Sequence, residues 1–185
     1  RYTQLPAYTT LGYRENGVLV NKDNDLAAIG VNHYIAGIEF NADADSKATI
    51  EAFYKGYDHY PVSLRDSVSL ANKGGDFGVV GDEPVVSSGK GRAYGFEIQF
   101  RRKVIDNINM LLTYTFVRSE FSGLDGNFIP SAWDARHIIN VLGSKNFKRN
   151  WTLGIKWKFS GGAPYTPYDE YTSSLVQAWD AQGRP

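Results

Sequence analysis

Residues 93–103, Ala-Tyr-Gly-Phe-Glu-Ile-Gln-Phe-Arg-Arg-Lys, alternate between large apolar and mostly polar or small side chains. Tyr94, Phe96, Ile98 and Phe100 share one face of an extended chain, because successive side chains of a strand point to opposite sides. The other face carries glycine, glutamate, glutamine and basic residues. This pattern predicts a β-strand with one apolar and one polar face.

The same alternation returns in neighbouring segments, so the chain is predicted to be all-β. The predicted long strands lie near residues 30–40, 47–57, 93–103, 108–118, 135–145 and 151–160. The strand at 135–145 is assigned by its position, since apolar residues occupy both of its faces. No segment shows convincing helical spacing of apolar residues over three turns.

The connections between these strands alternate in length. Short turns are predicted at 41–46, 104–107 and 146–150, and long stretches at 58–92, 119–134 and 160–185. In an antiparallel meander, all short turns then lie at one end of the sheet, as in transmembrane β-barrels. Eleven residues extend over about 36 Å, or about 26 Å along the membrane normal when tilted, close to the apolar band of such barrels. We therefore predict an up-and-down meander that forms part of a large transmembrane β-barrel.

Composition excludes several classes of protein. The chain has 185 residues, with 20 Lys+Arg against 20 Asp+Glu, and a nucleic-acid-binding protein is expected to carry a basic excess. It contains no cysteine, which excludes a disulfide scaffold, a zinc–cysteine site and a thiol nucleophile. The sequence contains no run of about 18 apolar residues, so no transmembrane helix is predicted.

Several motifs, in their order and spacing, resemble the barrel of TonB-dependent outer-membrane receptors of the Bacteroidetes type. These are Ala48-Thr-Ile-Glu-Ala-Phe-Tyr-Lys-Gly-Tyr-Asp-His-Tyr-Pro61, Gly89-Lys-Gly-Arg-Ala-Tyr-Gly-Phe-Glu97, Leu112-Thr-Tyr-Thr-Phe116, Trp133-Asp-Ala-Arg-His137 and Trp151-Thr-Leu-Gly-Ile-Lys-Trp-Lys-Phe-Ser-Gly-Gly-Ala-Pro-Tyr-Thr-Pro167. The resemblance runs from about residue 25 to about residue 167.

The resemblance implies a 22-stranded barrel in the bacterial outer membrane, with an N-terminal plug, which takes up scarce nutrients with energy supplied through TonB. Its expected partners are outer-membrane lipid, TonB and an unknown nutrient ligand, with no nucleic acid. Six strands are little more than a quarter of such a barrel. We therefore expect residues 1–185 to be a single partial barrel domain from the C-terminal half, with the plug and the TonB-contacting region outside it.

The sequence offers little support for catalysis or for a metal site. His33, His59 and His137 lack the paired spacing of metal ligands, and no Ser-His-Asp order suggests a nucleophile. Asp43-Ala-Asp45 favours a simple turn over a calcium loop, since later ligands are missing. The glycines of 89–95 precede a strand rather than a helix, so they are interpreted as easing chain entry into the barrel wall. We expect no catalytic residue, no metal and no cofactor.

Ligand recognition is expected in the long loops, where aromatic side chains suit flat ligands or sugars and acidic groups suit cations. The candidate contacts are Asp76, Phe77, Phe121, Asp125, Phe128, Trp133, Tyr165 and Tyr168. The alternative for each is packing of loop against loop. The nutrient class stays open among siderophores, haem, vitamins, glycans and peptides.

Two other functions compete with uptake. The first is a soluble all-β surface adhesin or ligand-binding module, which would bury the apolar faces of its strands in a core. The second is an outer-membrane enzyme barrel, which would require a nucleophile or paired carboxylates that the sequence does not present.

Overall fold

The structure is a computed structural model that describes residues 1–24, 26–73, 80–104, 108–165 and 170–176. Its elements follow in chain order, with a short 3-10 helix at Val20–Lys22 between β3 and β4. They are β1 (Tyr2–Gln4), α1 (Tyr8–Leu11), β2 (Arg14–Glu15), β3 (Val18–Leu19), β4 (Ile29–Asn41), β5 (Ser46–Ser63), β6 (Val85–Val104), β7 (Ile108–Ser122), β8 (Phe128–Pro130), β9 (Arg136–Asn146), β10 (Thr152–Ser160) and α2 (Glu170–Ser173).

One antiparallel sheet contains nearly all of these strands. Its order is β1-β4-β5-β6-β7-β9-β10, and β8 pairs with the end of β7. Strands β2 and β3 form a separate small hairpin. The prediction of an all-β antiparallel meander is confirmed.

Three strands are longer than predicted. β5 continues to Ser63, β6 begins at Val85, and β7 continues to Ser122. Their extra residues lack clean alternation, yet backbone pairing continues across register shifts between Tyr57 and Val62. The connection predicted at 58–92 is therefore confined to 64–84. All other boundaries of the six predicted strands agree within one residue.

The register aligns the predicted apolar faces across six neighbouring strands. Two successive cross-strand rows on the same face of the sheet are almost entirely apolar. The rows are Ile38–Ile50–Ile98–Tyr114–Ile139–Phe159 and Phe40–Ala48–Phe100–Leu112–Val141–Trp157. The ambiguous strand β9 thus turns Ile139 and Val141 to the apolar face. We call this face the outer face, and it is exposed, with Ile38 at 77%.

The opposite face is polar at the same height. Its central row is Glu39–Thr49–Gln99–Thr113–Asn140–Lys158. The side-chain amide of Asn140 donates a hydrogen bond to Thr113 Oγ1 at 2.9 Å. We call this surface the inner face.

Short and long connections lie at opposite ends of the sheet. The turns 42–45 and 147–151 are at one end, together with the predicted turn 104–107, of which 105–107 lie outside the described residues. The long connections 64–84 and 123–135 are at the other end. A third long connection, 5–28, lies there because β1 pairs antiparallel with β4, and the sequence did not predict it.

Two α-helices, α1 and α2, lie wholly within the described residues, and each has four residues. They are too short to show an apolar periodicity over three helical turns. No helix in the described part of the chain is long and apolar enough to cross a membrane.

Candidate functional site

The three long connections pack together into one body, which we call the loop assembly (residues 5–24, 26–28, 64–73, 80–84 and 123–135). Asn21 joins the first two. Its buried side-chain amide donates to the Thr10 carbonyl at 2.7 Å and to the Glu83 carbonyl at 2.8 Å. Its Oδ1 accepts from the Val85 amide at 2.8 Å. All these groups lie away from water, so their hydrogen bonds hold the first connection against the second.

An ion cluster links residues at the two ends of the second connection, 64–84. Lys73 Nζ lies 2.6 Å from an Asp66 oxygen and 2.7 Å from a Glu83 oxygen, and Ser63 donates to Glu83. Burial works to raise the pKa of Asp66, but the hydrogen bonds from Lys73 and from the Val68 backbone amide work against it, and that pKa lies below its usual value. The pKa of Lys73 moves upward, because its two carboxylates outweigh the burial that lowers it.

The second connection also holds the third. The Asn72 side-chain amide donates to the carbonyls of Ile129 and Pro130 at 3.1 and 2.9 Å. The Leu124 amide donates to the Ser67 carbonyl at 3.0 Å. The loop assembly is therefore continuous from the first connection to the third.

Phe121, a predicted ligand contact, is buried at the long-loop end of the sheet rather than exposed on its surface. Its exposure is 3%, and its ring centroid is 5.2 Å from that of Tyr57 and 4.6 Å from that of Tyr60. Gly91 lies against the same ring, and a Cβ there would collide with it. In this arrangement Phe121 packs the wall, and Gly91 provides the space for its ring.

Trp133, another predicted contact, is exposed at 64% and lines a cleft of about 350 Å³ where the three long connections meet. Tyr60, Lys73 and Leu70 line the same cleft, with Leu5 and Val80 on the side of the first and second connections. Cavities of this size accept small ligands or parts of larger ones. The sequence did not single out Tyr60, Lys73, Leu70, Leu5 or Val80, because they are distant along the chain.

Three further predicted contacts, Asp125, Phe128 and Tyr165, do not line this cleft. Asp125 accepts a hydrogen bond from the Asn127 amide at 3.0 Å in an exposed turn. Phe128 lies beneath the Arg92 guanidinium at 4.5 Å, and Tyr165 is exposed beyond β10. Asp76, Phe77 and Tyr168 lie outside the described residues.

The acidic turn 43–45 has the simple geometry that the sequence predicted. Asp43 Oδ1 accepts from the Asp45 amide at 2.8 Å, and Asp43 Oδ2 accepts from the Ser46 hydroxyl at 3.1 Å. These two hydrogen bonds hold the pKa of Asp43 below its usual value. Among the described residues, no group of three or more His, Cys, Asp or Glu is arranged to hold a metal ion.

Comparison with known proteins is consistent with this geometry. Residues 1–183 match the sequence model of the family described as TonB dependent receptor-like, beta-barrel. No curated protein matches the chain.

Proposed function

The chain belongs to the TonB-dependent receptor-like β-barrel family, and from this premise we propose that it supplies wall and outer loops to a nutrient receptor. Members of this family are outer-membrane transporters rather than enzymes. In the proposal, residues 1–185 are one partial barrel domain, and the plug and TonB-contacting region belong to the rest of the receptor. Energy supplied through TonB would drive release of the nutrient.

The alignment of the two faces is the observation that carries the proposal. Six strands present continuous apolar rows outward and a polar row inward, as a barrel with lipid outside and water inside requires. A soluble module would cover the outer face, yet Ile38, Ile155 and Trp157 are all exposed on it. The adhesin alternative is therefore disfavoured.

We place the nutrient in the cleft of the loop assembly. Trp133 offers an exposed ring for stacking, and Tyr60 adds a second aromatic side chain. Lys73 supplies a cation that its carboxylate partners hold in position. These groups suit a nutrient that contains a flat ring or a sugar, a class that includes haem, vitamins, glycans and aromatic siderophores. Asp125, Phe128 and Tyr165 would form secondary contacts at the loop surface.

A growth experiment tests the proposal. The gene is deleted, and growth is compared on limiting haem, cobalamin, ferric siderophores and oligosaccharides, each supplied as the only source. We expect the deletion strain to fail on one of these sources, and we expect the same failure in a strain that lacks TonB. Normal growth of the deletion strain on every source would contradict an uptake function for these nutrients.

Complementation then tests the cleft. The Trp133→Ala gene is expected to restore growth poorly, because the ring that stacks on the nutrient is missing. The matched control is Tyr8→Ala, which removes an exposed aromatic ring outside the residues that line the cleft. Full restoration by Trp133→Ala would place the nutrient elsewhere.

A further inference from the structure

Arginine side chains gather on the outer face at the long-loop boundary of the apolar rows. Tyr34, Tyr54 and Tyr94 form one cross-strand row, and Arg118 continues that row on β7. Arg92 lies on the same face as Tyr94, two residues further toward the long loops, and pairs with Glu120. The cluster therefore begins where the apolar surface ends.

Two buried carboxylates stand behind these arginines. The carboxylate oxygens of Glu120 lie 2.7 Å from Arg92 Nη2 and 2.8 Å from Arg118 Nη2. Asp134, which is fully buried, accepts from the Ser119 amide at 2.9 Å and has Arg118 Nε at 3.4 Å and Arg136 Nε at 3.7 Å. Hydrogen bonds to Glu120 fix the Arg92 and Arg118 guanidinium groups from the protein side, so these two arginines need little further ordering to bind an anion. The contacts of Arg118 and Arg136 with Asp134 are longer ion pairs.

The solvent-facing surface of the cluster is cationic. The Arg92 and Arg136 side chains are exposed at 41% and 57%, whereas both carboxylates are buried. Three guanidinium groups against two carboxylates leave one net positive charge, and Lys90 adds an exposed cation on the outer face of β6. The guanidinium carbon of Arg92 lies 4.5 Å from the centroid of the Phe128 ring, a cation–π contact.

A groove of about 470 Å³ adjoins the cluster. Arg136, His137, Phe159 and Tyr165 are among its lining residues. His137 and Phe159 belong to the outer face, and the His137 ring is held by a 2.9 Å hydrogen bond between its Nδ1 and the Tyr114 hydroxyl. The groove thus joins an apolar floor to a charged rim, which is the shape that an amphiphile requires.

The height of the cluster matches a layer of lipid headgroups. Arg92 and Arg102 both lie on the outer face of β6, ten positions apart, with Tyr94, Phe96, Ile98 and Phe100 between them. Ten residues span about 33 Å, which a strand tilt of about 40° reduces to about 25 Å along the normal. The two arginines therefore bracket one apolar band, with Arg92 on the side of the long outer loops.

We propose that Arg92, Arg118 and Arg136 bind a phosphate group on a lipid headgroup of the outer leaflet, with an acyl chain of the same lipid in the adjoining groove. Guanidinium groups donate paired hydrogen bonds to phosphate oxygens, and such charge-assisted bonds are strong at a boundary that is poor in water. Arg92 and Arg118 lie on the outer face of the wall. Arg136 pairs with Val117 of the inner face, but it joins the cluster through Asp134 and lines the groove together with His137 and Phe159. The site is distinct from the nutrient cleft.

Lipid titration of the receptor purified in mild detergent tests this site, with bound lipid counted by native mass spectrometry. The probes are bis-phosphorylated lipid A and the same lipid after removal of its phosphates. We expect the phosphorylated form to bind about tenfold more tightly. The Arg92→Gln/Arg136→Gln double variant is expected to lose this preference. Arg101→Gln, on the inner face of β6, is the matched control and is expected to keep it.

Several results would overturn the proposal. Equal binding of the two lipids to the unaltered receptor would exclude phosphate recognition, and so would a preserved preference in the double variant. Inorganic phosphate that displaces the lipid at an equal concentration would identify a free-anion site instead. If the double variant fails to assemble, Arg136→Gln alone, which removes only the longest ion pair, is expected to weaken the preference about threefold. No change in that variant would also count against the site.

Discussion

The outer face of the sheet and the loop assembly treat apolar and polar groups in opposite ways. Ile38 and Ile50, in the middle of the wall, are exposed, whereas Asn21 and Glu83, in the loop assembly, are buried. The wall contacts lipid, so its apolar side chains gain nothing by turning inward. The loop assembly contacts water, so it requires a core, and the polar groups within that core require hydrogen-bond partners.

The two regions also differ in what stabilises them. In the wall, the described contacts are mainly the backbone ladders from β4 to β10. In the loop assembly, side chains such as Asn21, Asn72 and Lys73 form the links between connections. A single substitution in the loop assembly should therefore weaken the connections that the altered side chain joins. In the wall, the effect of a substitution should depend on its depth in the membrane and on the face to which the side chain points.

The largest expected effect is at Phe121, where the two regions meet. Phe121→Ala should lower the free energy of unfolding by about 3–5 kcal/mol, because it opens a cavity beneath Tyr57 and Tyr60. Urea unfolding of the receptor in lipid measures this change. Phe121→Leu, which keeps most of the volume, should lose much less. Unchanged stability in Phe121→Ala, with nutrient binding lost, would instead make Phe121 a direct ligand contact.

A charge on each face of the wall tests its orientation. Ile98→Lys should destabilise the receptor in the membrane by about 2–4 kcal/mol, because the ammonium group would face hydrocarbon. Gln99→Lys places the same group on the inner face, one residue further along β6, and should have little effect. Folding in lipid vesicles, followed by the heat-dependent mobility of the barrel, measures both variants. Equal losses would break the contrast between the two faces.

The polar core of the loop assembly is tested at Asn21. Asn21→Ala removes three hydrogen bonds from buried backbone groups and should cost about 1–3 kcal/mol of local stability. Limited proteolysis should then cut residues 5–28 more rapidly, while the strands of the wall remain protected. The matched control, Asn127→Ala, changes an exposed amide that contacts Asp125 and should leave the cleavage rate unchanged. Equal cleavage of the two variants would show that Asn21 does not hold the connections together.

The smallest effect is a pH dependence confined to the loop assembly. Because the folded pKa of Asp66 is lowered, its contribution is present above the unfolded pKa of about 3.9 and is lost as the pH falls through the folded pKa. Because the folded pKa of Lys73 is raised, its contribution is present below the unfolded pKa of about 10.4 and is lost as the pH rises through the folded pKa. Asp66 is partly exposed, so we expect at most about 1 kcal/mol.

Proteolysis of the loop assembly across the acid range measures this dependence. In the Asp66→Asn variant, the loop assembly should be cleaved more rapidly near neutral pH, and its cleavage rate should change less as the pH falls. Asp58→Asn, a change to an exposed carboxyl group outside the ion cluster, is the control. An acid response that is unchanged in Asp66→Asn would assign it to other groups.

Much of the wall was predictable from local pattern, and little of the loop assembly was. The alternation at 93–103 was enough to predict the faces of β6, and the register confirms them with Ile50 and Tyr114 as neighbours of Ile98. The first connection escaped prediction, because the short strand β1 carries no alternation long enough to recognise. Of the predicted ligand contacts, Trp133 lies in the cleft and Phe121 is buried, although both are aromatic residues near the third connection.

The sequence by itself determined the six long strands and, except in β9, the side of the sheet to which their side chains point, because a strand alternates every two residues and lipid and water select for that alternation locally. The tertiary structure alone decided which rows align, which connections meet, and that Trp133 and Lys73 share a cleft. Those outcomes depend on contacts between residues some 60 positions apart, such as the Asn21 hydrogen bond to the Glu83 carbonyl, and no local period carries that information.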